Sequence, residues 1–153
     1  MAADPLSVLD RLLGIDPGFD PAHTRQQRVL SDIRDLLESR RPKRPIPPEL
    51  AEANASLLRY GLPDFAAMTV TNELDHKRVR EAIEEAIKLF EPRLDKKTVR
   101  VSLVAAKDNS PFLDYRIEAV LLHEDGAREA IAFDTRLDRV RGQFAAVPPG
   151  GAA

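Results

Sequence analysis

Glu91 and Asp95 lie close together in the sequence, and paired carboxylates are what glycoside hydrolysis uses, one as general acid and one as base or nucleophile. Their setting argues against that chemistry. The chain has no Trp and only 2 Tyr, so no aromatic-lined sugar cleft is signalled. His23, His76 and His123 are scattered. His76 stands near Glu73 and Asp75, but without the His-x-x-x-His spacing that puts two ligands on one helix face. There is no Gly-rich phosphate loop, no Gly-x-Ser-x-Gly elbow and no Cys nucleophile. No catalytic residue, cofactor or metal is expected.

Glu91-Pro92-Arg93 is the more informative group. Pro92 removes an N–H and biases Glu91 away from helical geometry, so the preceding helix should end near Phe90. An acid and a base then flank a residue of fixed φ. Such a corner serves either as a local clamp or as a rigid recognition point, since an arginine on a stiff support loses little freedom on binding.

The elements that position this corner follow from periodicity. Pro5 to Leu13 carries Leu6, Leu9, Leu12 and Leu13 on one side, a short helix closed by Gly14 that must dock on something, followed by a turn-rich link to Ala22. Thr24 to Ser39 places Val29, Leu30, Ile33, Leu36 and Leu37 on one face, with Arg28, Asp32, Asp35 and Glu38 opposite. Arg40 to Pro48, rich in proline and arginine, reads as an extended connector. Its basic residues Arg40, Arg41, Lys43 and Arg44 have no interleaved aromatics of the kind that stack bases. Glu49 to Arg59 reads as a third helix, ended at Tyr60-Gly61-Leu62-Pro63-Asp64-Phe65.

The main amphipathic helix is capped by Asn72 or Asp75 and runs to Phe90. Its stripe is Leu74, Val79, Ile83, Ile87 and Phe90, and Glu84 and Lys88 form an i,i+4 pair. Strand patterns follow. Thr98 to Ala105 alternates, Lys107 to Pro111 turns, and Phe112 to His123 turns Tyr115, Ile117, Ala119 and Leu121 one way. Glu124-Asp125-Gly126 makes a hairpin, and Ala127 to Asp134 returns with Ile131 and Phe133. A short strand over Arg141 to Val147 precedes a Pro-Gly tail, 148–153, expected to be flexible. Helices followed by an antiparallel meander define an α+β fold: N-terminal helices and one long amphipathic helix packed on a small antiparallel sheet, a single domain over 1–147.

Composition narrows the function classes. Lys+Arg 23 against Asp+Glu 25 gives a net charge of −2, so no overall field attracts nucleic acid or an anionic membrane. The absence of Cys excludes disulfides and fits a reducing compartment. No apolar run approaches the ~18 residues of a spanning helix. The expectation is a cytoplasmic protein without membrane insertion.

Several segments together resemble the TssE family, the baseplate wedge subunit of type VI secretion, related to the "lysozyme-like" wedge protein of contractile phage tails. They are Asp10-Arg11-Leu12, Leu36-Leu37-Glu38-Ser39-Arg40-Arg41, Tyr60-Gly61-Leu62-Pro63-Asp64-Phe65, Phe90-Glu91-Pro92-Arg93-Leu94, and Phe133-Asp134-Thr135 with Leu137-Asp138. The chain departs from the family at Glu38-Ser39, where an Asn-Thr pair is usual, and in its richer basic linker. The resemblance implies a non-catalytic scaffold. In that family Glu91, Pro92 and Arg93 would contact the wedge subunits TssF and TssG. The strand region would exchange strands with sheath subunits, TssB and TssC, and so start sheath assembly. The competing readings are a peptidoglycan-acting enzyme using Glu91 and Asp95, a nucleic-acid module using Arg40 to Arg44, and a baseplate protein of a phage-derived particle.

Overall fold

A computed structural model describes residues 21–66, 72–105 and 110–146. Helix α1 spans Pro21–Glu38, a single-turn α2 spans Ala51–Asn54 with a 3₁₀ turn at Leu57–Arg59, and α3 spans Glu73–Phe90. Strands β1 (Arg100–Ala105), β2 (Phe112–Leu122), β3 (Arg128–Asp138) and β4 (Gln143–Ala146) follow. They form one antiparallel sheet in the order β1-β2-β3-β4. The expected α+β architecture is what the chain adopts. The expected helix over Pro5 to Leu13, most of the link after it and the C-terminal tail lie outside the described residues, as does most of the turn after β1.

The core is built between one sheet face and two helices. Val29, Ile33, Leu36 and Leu37 of α1 and Val79, Ile83, Ala86 and Ile87 of α3 meet Val101, Leu113, Tyr115, Ile117, Ala119, Leu121, Ile131, Leu137 and Phe144 of the sheet, all buried. Period-two alternation holds along β2, where Leu113 to Leu121 point inward at every second residue. α1 and α3 are each 18 residues long, so two equal helices cover the sheet rather than one long helix with lesser companions. None of the described helices is long and apolar enough to cross a membrane.

Several boundaries differ from the sequence expectation. α1 already begins at Pro21, a residue whose fixed φ suits a first turn. Asn72, not Asp75, caps α3, accepting the Leu74 N–H at 3.0 Å. Asn72→Ala should therefore lower stability by about 1 kcal/mol in urea unfolding. Leu74 leaves the expected stripe, being 62% exposed in the first turn before the helix meets the sheet. The expected third helix breaks in two. Asn54 turns its amide back onto Pro47 O and Leu50 O, and Ser56 caps a new 3₁₀ turn by accepting Leu58 N–H. With Leu57 and Leu58 exposed, no apolar face holds a continuous helix there. β1 starts at Arg100 because Thr98 spends its hydroxyl on Asp95 O and Val120 N–H. β3 runs on to Asp138 because β4 supplies it with a second neighbour over Thr135 to Asp138.

The other sheet face carries charged pairs. Arg116 and Asp134 are register partners and pair at 2.8 Å, and Asp114 and Arg136 do the same at 2.7 Å. These cross-strand pairs tie β2 to β3 where the core does not reach.

Candidate functional site

The Glu91-Pro92-Arg93 corner follows directly from the end of α3. Glu91 N–H still donates to Ile87 O at 2.9 Å, so the last helical hydrogen bond is made; Pro92 then turns the chain. The outgoing segment is stitched to the end of β2. Leu122 N–H donates to Arg93 O and Asp95 N–H donates to Val120 O, both at 2.9 Å. Leu94, between them, is buried. The corner is fixed at both ends by backbone hydrogen bonds.

Glu91 is 3% exposed, a buried carboxylate that needs partners. Among the described residues, Arg93 supplies its partners. Its Nε reaches Oε1 at 2.7 Å, its Nη2 reaches Oε2 at 2.6 Å, and its own backbone N–H reaches Oε1 at 3.1 Å. Nη2 also pairs with Asp32 of α1. The hydrogen bond with Glu91 chiefly, and then that with Asp32, raise the pKa of the guanidinium against the opposing effect of burial. The three residues expected at the site are therefore together, but the acid and base meet first as an internal clamp joining α3, the corner and α1. Nη1 has no acceptor among the described residues, and Pro92 is exposed.

Around the clamp lies a cleft of about 340 Å³ lined by Asp32, Asp35, Leu36, Tyr60, Phe90 and Pro92, among others. Tyr60 packs edge-on against Phe90, with ring centroids 5.3 Å apart at 72°. Burial, then the charges of Asp35, Asp32 and Glu91, push the Tyr60 hydroxyl above its ordinary pKa. The segment after Tyr60 is zipped to the end of α1, since Leu62 N–H donates to Ser39 O at 2.8 Å and Arg41 N–H to Leu62 O at 3.0 Å. Two sequence segments remote from each other, Tyr60 to Phe65 and Phe90 to Leu94, thus frame one place.

Asp32 and Tyr60 were not recognisable as parts of this site. Asp32 lies on the polar face of its helix, but only packing selects it among the four charged residues on that face.

The carboxylate pair considered for hydrolysis is not assembled as a pair. Glu91 is engaged by Arg93, while Asp95 is held by Arg128 at 2.5 Å and by Lys97 N–H. The Arg128 hydrogen bond, first, keeps Asp95 below its ordinary pKa, the opposite of what a general acid needs at neutral pH. Among the described residues, no group of three or more His, Cys, Asp or Glu side chains is placed to hold a metal ion. His123 pairs instead with Glu129, at 2.9 Å. The basic linker is partly turned inward: Arg40 donates to Arg141 O, Lys43 lies 3.6 Å from Asp64, and burial lowers the Arg41 pKa.

Glu91, the buried charge among the described residues, is thus spent on joining the chain's own elements. Residues 23–126 match the sequence model of the family described as baseplate wedge protein gp25, and the chain belongs to that family, which includes TssE. The family is one of structural baseplate proteins. No curated protein and no solved structure matches the chain.

Proposed function

We propose that this chain is a TssE-type wedge subunit of a type VI secretion baseplate, acting in the cytoplasm as a non-catalytic connector. The corner Glu91, Pro92 and Arg93 binds the wedge subunits TssF and TssG. The sheet takes in a strand from the sheath subunits TssB and TssC and so starts sheath assembly. Family membership supports the baseplate role.

The observation that carries the strand-accepting part is a step in the sheet. β4 pairs only with Thr135 to Asp138 of β3, so residues 128–134 of β3 have no neighbour on that side among the described residues. The phase of the ladder is set by His123 N–H donating to Ala127 O at 2.9 Å. Odd-numbered residues of β3 then bond to β2, and Arg128, Ala130, Ala132 and Asp134 direct N–H and C=O outward. Unpaired main-chain groups in a row are what an extended segment adds to.

The corner is tested with Pro92→Lys, which places a charged side chain on the exposed apex and leaves the Glu91–Arg93 pair in place. Co-purification with TssF and TssG should be lost while the thermal midpoint changes little. Undiminished complex formation would remove the corner from the interface. The strand margin is tested with Ala132→Pro, which deletes an outward donor without removing a β2–β3 hydrogen bond. A folded variant should fail to start TssB–TssC sheaths, and normal assembly would overturn that role. The same surfaces suit a phage-derived contractile particle, and failure of the unaltered chain to bind TssF and TssG would favour that reading.

A further inference from the structure

The sheet has a second margin, along β1, and it is built differently. Arg100 and Ser102 are register partners of Glu118 and Arg116, the even-numbered β2 residues that face β1. Val99, Val101 and Leu103 therefore direct their main-chain groups outward. The Val101 N–H is already taken: it donates to Glu84 Oε1 of α3 at 3.2 Å. The other oxygen of Glu84 accepts from Lys88 Nζ at 3.1 Å, which holds the carboxylate in place. The Arg100 guanidinium curls back onto Val99 O at 2.9 Å and Lys97 O at 3.1 Å. At the far end the register slips between Leu103 and Ala105, a bulge that breaks the regular spacing an added strand would need. A charge aimed at an edge donor and a bulge are both means by which sheets keep other strands away.

We infer that Glu84 locks the β1 margin, so that an extended segment of a partner chain can join this sheet only beside β3. This rests on the reading of the sheet as strand-accepting, and it adds direction. A sheet open on both sides could link strands indefinitely, whereas one closed on the β1 side ends a series of added strands and lets it grow one way only. On the open side the segment would lie beside Ile131 and Phe133 on the core face and Ala130 and Ala132 on the outer face. It therefore suits a stretch of about seven residues with apolar side chains at every second position, toward Ile131 and Phe133.

The test uses the full chain. Amide hydrogen exchange at Val101 should be slow in the unaltered protein, about tenfold faster in Glu84→Ala, and slow again in Glu84→Gln, which keeps an acceptor oxygen. Exchange at Val101 unaffected by Glu84→Ala would overturn the lock. The second measurement is sedimentation velocity over a concentration series with Glu84→Ala and Ala132→Pro combined. The β3 margin is then blocked, and any strand pairing must use β1. Concentration-dependent self-association of this double variant, absent from Ala132→Pro alone, is the expected result. A monomer at every concentration would show that Glu84 is not what keeps β1 closed. Neither readout uses sheath subunits, so failure of sheath initiation leaves the outcome at β1 intact.

Discussion

Arg93→Ala should lower the free energy of unfolding by about 2–4 kcal/mol, as measured by urea denaturation. Removing one member of a buried ion pair typically costs about 3–5 kcal/mol because the other is left charged without a partner. The Arg93 side chain is 29% exposed, which allows water to recover part of that loss and sets the lower figure. Glu91, at 3% exposure, has no such relief: it would lose both guanidinium hydrogen bonds at once and keep only the one from the backbone N–H of residue 93. Replacing both residues by leucine should cost less than Arg93→Ala, since no charge remains to be buried. A loss below about 1 kcal/mol for Arg93→Ala would mean that the pair behaves as a surface salt bridge. The result bears on function too: a binding defect in Arg93→Ala cannot be assigned to the interface until its folded fraction is known.

Gly61→Ala should be at least as damaging, by about 3 kcal/mol or more in thermal or urea unfolding. A β-carbon at Gly61 would stand 2.5 Å from Ser39 O and 2.8 Å from Ser39 C, both backbone atoms that cannot swing aside. The glycine also has φ +99°, in the region where side chains are strained. The clash falls where Leu62 is zipped to the end of α1, so the substitution should loosen α1 and the Tyr60 wall of the cleft together. Gly126→Ala supplies the control. Its φ is +86°, but a β-carbon there meets nothing within 4 Å, so only the conformational cost of about 1–2 kcal/mol is expected. Equal losses at the two sites would show that the contact with Ser39 is unimportant.

Features set by near neighbours could be read from the chain. α3 announced itself through the Asn72 cap, a stripe with helical spacing and Pro92 just beyond its end, and the Glu84–Lys88 pair formed as its spacing implied. β2 is legible because Leu113, Tyr115, Ile117, Ala119 and Leu121 recur at every second residue, and these are the residues it buries. What escaped depended on partners far along the chain. The corner's residues allow either a clamp or a recognition point, and the contact of Asp32 with Arg93 across the α1–α3 junction makes it a clamp. The second role of Glu84, on Val101 N–H, required knowing that α3 lies along β1. The pairs Arg116–Asp134 and Arg136–Asp114 exist only in the actual register of the hairpin. The failed third helix had an apolar pattern with no surface to bury it against, and pattern alone does not reveal that.

The step beside β3 has a mechanical consequence. A segment seated along residues 128–134 lies parallel to the strands, with its hydrogen bonds perpendicular to its own axis. Tension along that axis loads those bonds in shear, all at once, whereas a pull across the sheet would peel them one by one. On the proposed function, this short ledge would act as a tether that resists lengthwise traction yet releases when lifted sideways.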